Sequence, residues 1–489
     1  VVTTQAVPSV RSSTQTLRMS AAGDRGYPRT ALALHEGMFH RLLARLLRPF
    51  TKVHPEEAVT VGLMTLSAFL LLSAYYLLKT VREPLILLHG GAEVKLYARA
   101  AQALLMVGVV HVYGELARRV GRMKLLSIVF LFFISNLAVF AVLARADLPI
   151  GLPFFLWVGV FSYTVVAQFW ALAADIYSEE QGKRLFPIIG GGSSIGAVAG
   201  GLFAKSLVPF GPAVLMGAAV VVLLASVALI VWVERRAVLQ ARHDHVIDEP
   251  LTEQSPWHLL AHDKYLLVIA GMVVFLNWVN SSGEYLLDRT LVIAAKDAAA
   301  HGGSSLVFIG AFKADYYVWY NTLGVLLELF AVSRILRVLG VRRALWFMPV
   351  FAFFAYGCAV FLPVLAVMRI VKIGENSLQY SLQDTTRHAL FLVATRPEKF
   401  VGKTAIDTIA VRIGAIMSTV MVFAGAWLGW STSVYAAINV GLALAWLGFV
   451  LLIAREHRLR SAELGTDVRT KQLRARDRVA QEMRETTRL

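Results

Sequence analysis

FWALAADIYSEEQGKRLFPIIGGGSSIGAVAGG, Phe169 to Gly201, decides the fold: an apolar segment, a short charged turn, then a second apolar segment rich in Gly and Ser. It reads as two membrane-spanning helices joined at a water interface, because charge is confined to the turn between them. Gly190, Gly191, Gly192, Gly196, Gly200 and Gly201 leave the second helix with little side-chain bulk, so a neighbour can pack closely against it. The layout recurs 219 residues later, where Pro397, Glu398 and Lys399 take the places of Ser178, Glu179 and Glu180, and Lys403 that of Arg184. The same offset carries Gly121 onto Gly340, each in a basic turn between apolar segments. Two unrelated turns holding one offset point to a duplicated half.

Composition agrees. Hydrophobic residues make up 57% and charged residues 16%, against about 45–50% and about 25% in soluble domains. Mean hydropathy is +0.62. The chain is therefore read as an all-α polytopic membrane protein, and 489 residues accommodate about twelve helices of about 20 residues each. A net charge of +16 raises nucleic acid as a partner, but the basic residues lie in turns and tails beside apolar spans. Anionic lipid and the positive-inside bias account for that placement, so membrane lipids are expected partners and nucleic acid is not. A single cysteine, Cys358, excludes an intramolecular disulfide. No metal-ligating cluster stands out, and no cofactor is expected.

Residues 1–55 differ in character from the rest: 1–30 read as disordered, and Ala31 to Phe50 as a surface-lying amphipathic helix with Arg41, Arg45 and Arg48 between its leucines. The first span is expected to remain in the mature protein, since no cleavage site precedes it. Six spans are expected over 56–233, a polar linker over 234–264, six more over 265–454, and a charged tail over 455–489. Within the second set the seventh span covers about Leu266 to Trp278, with a loop from Gly283 to Ser305. Arg118, Arg119, Arg122, Lys124, Lys183, Arg184, Arg235, Arg236, Arg334, Arg337, Arg342, Arg343, Lys399 and Lys403 fall on one side, which the positive-inside rule makes cytoplasmic together with both termini and the linker. Two parallel six-helix halves match the plan of a major-facilitator carrier.

The charges that this surface account does not absorb are the chemically interesting ones. Lys79, Arg82 and Glu83 follow the first apolar span without entering a polar tail, since PLILL resumes at Pro84. They are either an interfacial cap with snorkelled stems or a cation cluster facing a cavity, where Arg82 supplies a bidentate fork and Lys79 a mobile point charge to phosphate. Arg369, Lys372 and Glu375 recur every three residues in the tenth span, continued by Asn376, Gln379, Tyr380, Gln383, Asp384 and Arg387, a polar stripe costly against lipid. Asp407 and Arg412 interrupt the eleventh span and can pair across helices or gate. Asp175, Lys183, Arg184 and Lys403 are further gating or pairing candidates around the two charged turns. Lys313, Asp315, Tyr316, Tyr317, Trp319 and Tyr320 combine charge with aromatic rings, as an interfacial belt or as a surface for a planar ligand. Asn277, Asn280 and Glu284 are weaker candidates. FVGKTA is not a phosphate-binding loop, because Pro397 stands where its first glycine belongs and no strand precedes it. With no resident ATPase, transport must run by exchange or ion coupling, and no enzyme activity is expected.

At these residues the chain resembles the nucleotide transporters of plastids and intracellular bacteria, the ATP/ADP translocases distinct from mitochondrial carriers. YYLLKTVREPLIL resembles the family's first-helix signature, with Lys79 at its Arg and Arg82-Glu83 at its Lys-Asp. EEQGKRLFPIIGGGSSIG resembles its fourth-to-fifth-helix signature. QYSLQDTTRHALFL with KFVGKTAID resembles the tenth-to-eleventh, through Tyr380, Ser381, Leu382, Asp384, Arg387, Lys399, Gly402, Lys403, Ile406 and Asp407. Gln379 and His388 depart from it, standing where the family carries a lysine and an acidic residue. The resemblance implies a twelve-helix, monomeric carrier in a bacterial inner membrane that exchanges nucleotides or another phosphorylated anion. Lys79, Arg82, Glu83, Lys313, Tyr320, Lys372 and Glu375 are the expected substrate contacts, and a proton-coupled organic-anion carrier or a membrane scaffold is the alternative.

Overall fold

The computed structural model describes residues 54–120, 122–177, 179–240, 263–391, 394, 402–403 and 406–486, and these contain helices and turns but no strand. The amphipathic stretch, the linker from 241 onward and Lys399 lie outside them. By compactness the chain falls into Val1–Val59 and Thr60–Leu489, and the second unit holds the helical bundle.

Helix α1 (Pro55–Arg119) is 65 residues long and breaks at Gly91, whose φ of 71° and ψ of −174° a side chain would resist. It is therefore two rods, with Lys79, Arg82 and Glu83 well inside the first. Then come α2 (Arg122–Arg145), α3 (Gly151–Ile176), α4 (Glu179–Leu207), a 3₁₀ turn and α5 (Pro212–Gln240). The later part begins with α6 (Lys264–Ala300) and α7 (Ser305–Leu327), which passes through a π-helical turn into α8 (Ser333–Ala344). It continues with α9 (Phe347–Phe361), α10 (Leu365–Leu378), a π turn over Gln379–Gln383, α11 (Asp384–Leu390), a third π turn over Ile406–Ala410, α12 (Val411–Trp427) and α13 (Thr432–Thr486). Gly211 (φ 91°) and Gly429 (φ 68°) close the turns before α5 and α13 at nearly the offset read from the sequence, each in a left-handed backbone that glycine adopts freely.

Among the described residues eight helices are long and apolar enough to cross a membrane, or nine if the bent pair Ser305–Ala344 and Phe347–Phe361 counts as one span. That is fewer than the twelve expected. The eight count both rods of α1 as one helix and omit α10, which its π turn cuts at 14 residues. A second difference is clearer. The stretch read as a loop from Gly283 is helical to Ala300, with Glu284 and Asp288 buried. Glu284 and Asp288 have ionic partners inside the bundle, so the helix need not end where they begin.

The glycines of the opening motif do what small residues do in membranes. Gly192, Gly196 and Gly200 recur every four residues on α4, and a Cβ on any of them would strike the backbone of Thr65, Phe69 or Ser73 on α1. Ser73 seals the contact by donating to the Gly196 carbonyl at 3.0 Å. Gly190 and Gly191 face open space instead. In the later part Gly414 of α12 lies against the Val274 carbonyl and the Trp278 amide of α6. Residues 55–240 and 264–486 meet along a seam, where α4 packs on α7.

Candidate substrate site at the seam

The first rod of α1 carries Arg82 and Glu83 into the seam, and the second rod brings Lys95 and Arg99 back to it. Opposite them, α6 supplies Glu284 and Asp288, four residues apart and so on one face, and α7 supplies Lys313. Lys95 Nζ contacts Glu83, lies 2.6 Å from Asp288 and reaches Glu284 at 3.3 Å. Lys313 Nζ lies 2.6 Å from Asp288, 3.4 Å from Glu284 and 3.7 Å from Glu83. Arg82 is held to Glu83 at 2.6 Å, and Arg99 stands 3.5 Å from Glu284. Carboxylate oxygens of Glu83, Glu284 and Asp288 lie within 4.8 Å of one another, which is tolerable in a buried site because two ammonium groups sit among them. Those ammonium groups already supply the positive charge that a metal ion would bring to three such carboxylates.

Lys79 is different. Its ammonium donates to the Tyr320 hydroxyl at 2.9 Å and lies 4.4 Å from the centre of the Tyr317 ring and 5.1 Å from that of Tyr76. Among the described residues it joins no ion pair. Tyrosine faces attract a cation but leave its charge uncompensated. Tyr76 bridges to Tyr320 and Asn321 at 3.0 Å each, and the ring of Tyr320 stacks on Tyr380, whose other side is exposed.

A separate cluster lies wholly within the later part. Lys372 and Glu375, 0% and 1% exposed, pair at 2.8 Å through Oε2, and the same oxygen accepts from the Tyr356 hydroxyl at 2.6 Å. Lys372 also donates to the Asn280 carbonyl at 3.1 Å. Gly283 of α6 leaves the room: a Cβ there would run into the Tyr356 hydroxyl.

The remaining predicted residues sit apart. Asp384 and Asp407 both pair with Arg387, at 3.3 and 3.1 Å. Arg412 crosses the seam to the Ala103 carbonyl at 2.8 Å. Asp175 is exposed at the end of α3, while Arg184 and Lys403 are half-buried. The Lys183 side chain is outside the described part. Towards the Gly91 end, Lys205 bridges the seam to Asp315 at 2.7 Å, and Arg369 pairs with the same carboxylate. Sequence reasoning missed Lys95, Arg99, Asp288 and Tyr356. Lys95 and Arg99 could have been found as charges beside or within an apolar helix-forming stretch, and Asp288 had the loop at 283–305 not been assumed, whereas Tyr356 gives no signal in an aromatic-rich span.

No family model and no curated protein matches the sequence. Solved structures do match in shape. The nucleoside transporter NupG superposes with a TM-score of 0.55 at 10% identity, covering 82% of this chain and 98% of that one. The POT family transporter PepTSo gives 0.55 at 12%, covering 83% and 98%. A bacterial homologue of the iron transporter ferroportin, in an inward-facing state, gives 0.56 at 14%, covering 81% and 98%. The chain therefore shares an all-α, multi-span fold with these structures.

Proposed function

We propose that this protein is a secondary carrier that moves a small organic anion by alternating access, with the anion bound at the seam beside Lys79 and Arg82. The observation that carries the proposal is Lys79, a cation held at the seam by tyrosines with no ion-pair partner among the described residues. Across the surrounding network four cations, Arg82, Lys95, Arg99 and Lys313, face three carboxylates, so positive charge exceeds negative where both parts of the bundle meet. A phosphorylated nucleotide is the substrate class that the motif resemblance favours, and the exposed Tyr380 ring offers a planar surface to its base. Glu83, Lys313 and Tyr320 act in this reading by holding the site, not by direct contact.

The same proposal gives twelve crossings in two six-helix halves, with α1 bent into two spans, α7–α8 and α9 counted as separate spans, and α10 completing the set. Both termini and the basic turns are cytoplasmic, in a bacterial inner membrane, and one chain is the transport unit. Cross-seam bonds run from the Gly91 end to the level of Tyr76 and Asn321. The substrate path consequently opens at the basic, cytoplasmic end, and Asp384, Arg387 and Asp407 pair at that end.

Purified protein in proteoliposomes tests this with labelled ATP, ADP, AMP and adenosine, with and without internal nucleotide. Uptake of the phosphorylated compounds over adenosine supports the anion site, and uptake that needs internal nucleotide identifies exchange. A proton-coupled organic-anion carrier is the second reading, favoured by the buried carboxylates at the seam and in α10; uptake that follows an imposed pH gradient without internal nucleotide selects it. No uptake of any member of the panel counts against nucleotides as the substrate class.

A further inference from the structure

We infer that Glu375 is a proton-binding site, and that its protonation releases Lys372 as a positive charge beside the seam. The inference rests on the carrier reading for its use in transport, but the site itself is a matter of geometry. Four buried carboxylates lie near the middle of the bundle, and they are not equivalent. Glu83 is held by Arg82, Lys95 and Lys313; Glu284 by Lys95, Lys313 and Arg99; Asp288 by Lys95 and Lys313. A proton on any of these would take a counter-charge from at least two buried cations, which is costly. Glu375 has one cationic partner, Lys372, and both its bonds fall on Oε2. Its other oxygen, Oε1, is buried without a hydrogen-bond partner among the described residues. An unsatisfied buried acceptor is a standing cost, and it is where an added proton meets least competition.

The proton comes from water on the open side, forms an O–H bond at Oε1 and returns to water on the other side, while Tyr356 goes on donating to Oε2. What changes is charge: neutral Glu375 no longer balances Lys372. Each neighbouring element presents groups to this site. On α10 itself there are Lys372 and Asn376; on α9, Tyr356; on α6, the Asn280 carbonyl and, electrostatically coupled to Lys372, Glu284; on α7, Tyr316, hydrogen-bonded to Asn376. None of these is a second carboxylate bonded to Lys372, so its released charge acts on the seam, where it favours an incoming anion. Proton and anion then bind together. Glu375, Lys372 and Tyr356 all lie in 264–486, so the pair can persist while the seam opens.

Infrared spectroscopy of the purified full-length protein across pH reads the site without any substrate. A protonated buried carboxyl shows its own carbonyl stretch, separate from the carboxylate bands. Wild type should gain such a band on acidification, Glu375→Gln should lack it, and Tyr356→Phe should keep it at a shifted frequency, because one hydrogen bond to the carboxyl is gone. A band that persists in Glu375→Gln overturns the inference, as does one that Tyr356→Phe leaves unmoved; the latter arm also serves if Glu375→Gln does not fold. With labelled ATP in proteoliposomes, Glu375→Gln should lose all acceleration by an inward acid gradient. Retained acceleration removes Glu375 from coupling. Wild type that carries no ATP under either condition refutes the nucleotide reading, and the infrared result then decides the proton site alone.

Discussion

Two buried charge clusters sit side by side in this bundle and are built on opposite plans. The seam network is shared between the two parts of the chain: Lys95 comes from α1, Lys313 from α7, and each ammonium group serves Glu83, Glu284 and Asp288. The Lys372–Glu375 pair belongs to one part and is short of a partner at one oxygen. A network that many groups share resists the loss of any one charge only as long as its pieces stay together. A lone pair can change its charge without moving helices. The comparison teaches that the first cluster holds the two parts in register in this state, and the second is the place where a single proton alters the electrostatics.

The largest effect is expected in the network. Asp288→Asn leaves Lys95 and Lys313 short of one carboxylate in a dry site, at a cost of about 3–5 kcal/mol. Thermal unfolding in detergent should show a large loss. Pairing the change with Lys313→Met, which removes the surplus cation, should recover part of it. A double variant no more stable than Asp288→Asn would break the picture of a mutually compensating network.

A smaller effect is expected for Lys372→Met. Glu375 loses its only cationic partner among the described residues but can take up a proton and shed its charge, so the cost should fall below that of Asp288→Asn. It should also shrink on acidification, since protonated Glu375 carries no charge to strand, and grow as pH rises. Melting curves at several pH values check the sign. Destabilisation that is larger in acid would mean that Lys372 compensates something other than Glu375.

The smallest effect on stability belongs to Lys205→Gln. Its bond to Asp315 crosses the seam, but its side chain is half exposed, 51%, so no more than about 1 kcal/mol is at stake. The consequence should appear in conformation instead: a cysteine introduced near the Gly91 end, with Cys358 replaced, should react faster with an aqueous thiol reagent in this variant. Unchanged reactivity would show that Lys205 does not help to close that end.

Much of the architecture was legible because membranes enforce simple rules. Apolar runs of helical length, glycine spacing and basic turns each carry a local physical meaning, and Gly192, Gly196 and Gly200 pack as small residues every four positions should. Gly211 and Gly429, which the sequence reading did not single out, recur at nearly the offset it took from Gly121 and Gly340. The site was only partly legible. Lys79, Arg82, Glu83, Lys372 and Glu375 stood out as charges in apolar surroundings, but Lys95, a partner of both Glu284 and Asp288, lies nearly two hundred residues away on another helix. A sequence without those partners makes Asp288 look like a loop residue, and it gives no means of telling that Lys313 is neutralised while Lys79 is not.

That last distinction is also the most direct point of attack. Binding of ATP and of adenosine to detergent-purified wild type, Lys79→Gln and Lys205→Gln, followed by calorimetry, asks whether the unpaired lysine at the seam is the anion site. The account predicts that Lys79→Gln weakens ATP at least about tenfold, the loss of one charge-assisted bond worth about 1.5–3 kcal/mol, while adenosine binding and the Lys205→Gln variant stay close to wild type. Equal ATP affinity in wild type and Lys79→Gln, with both proteins folded, would contradict it.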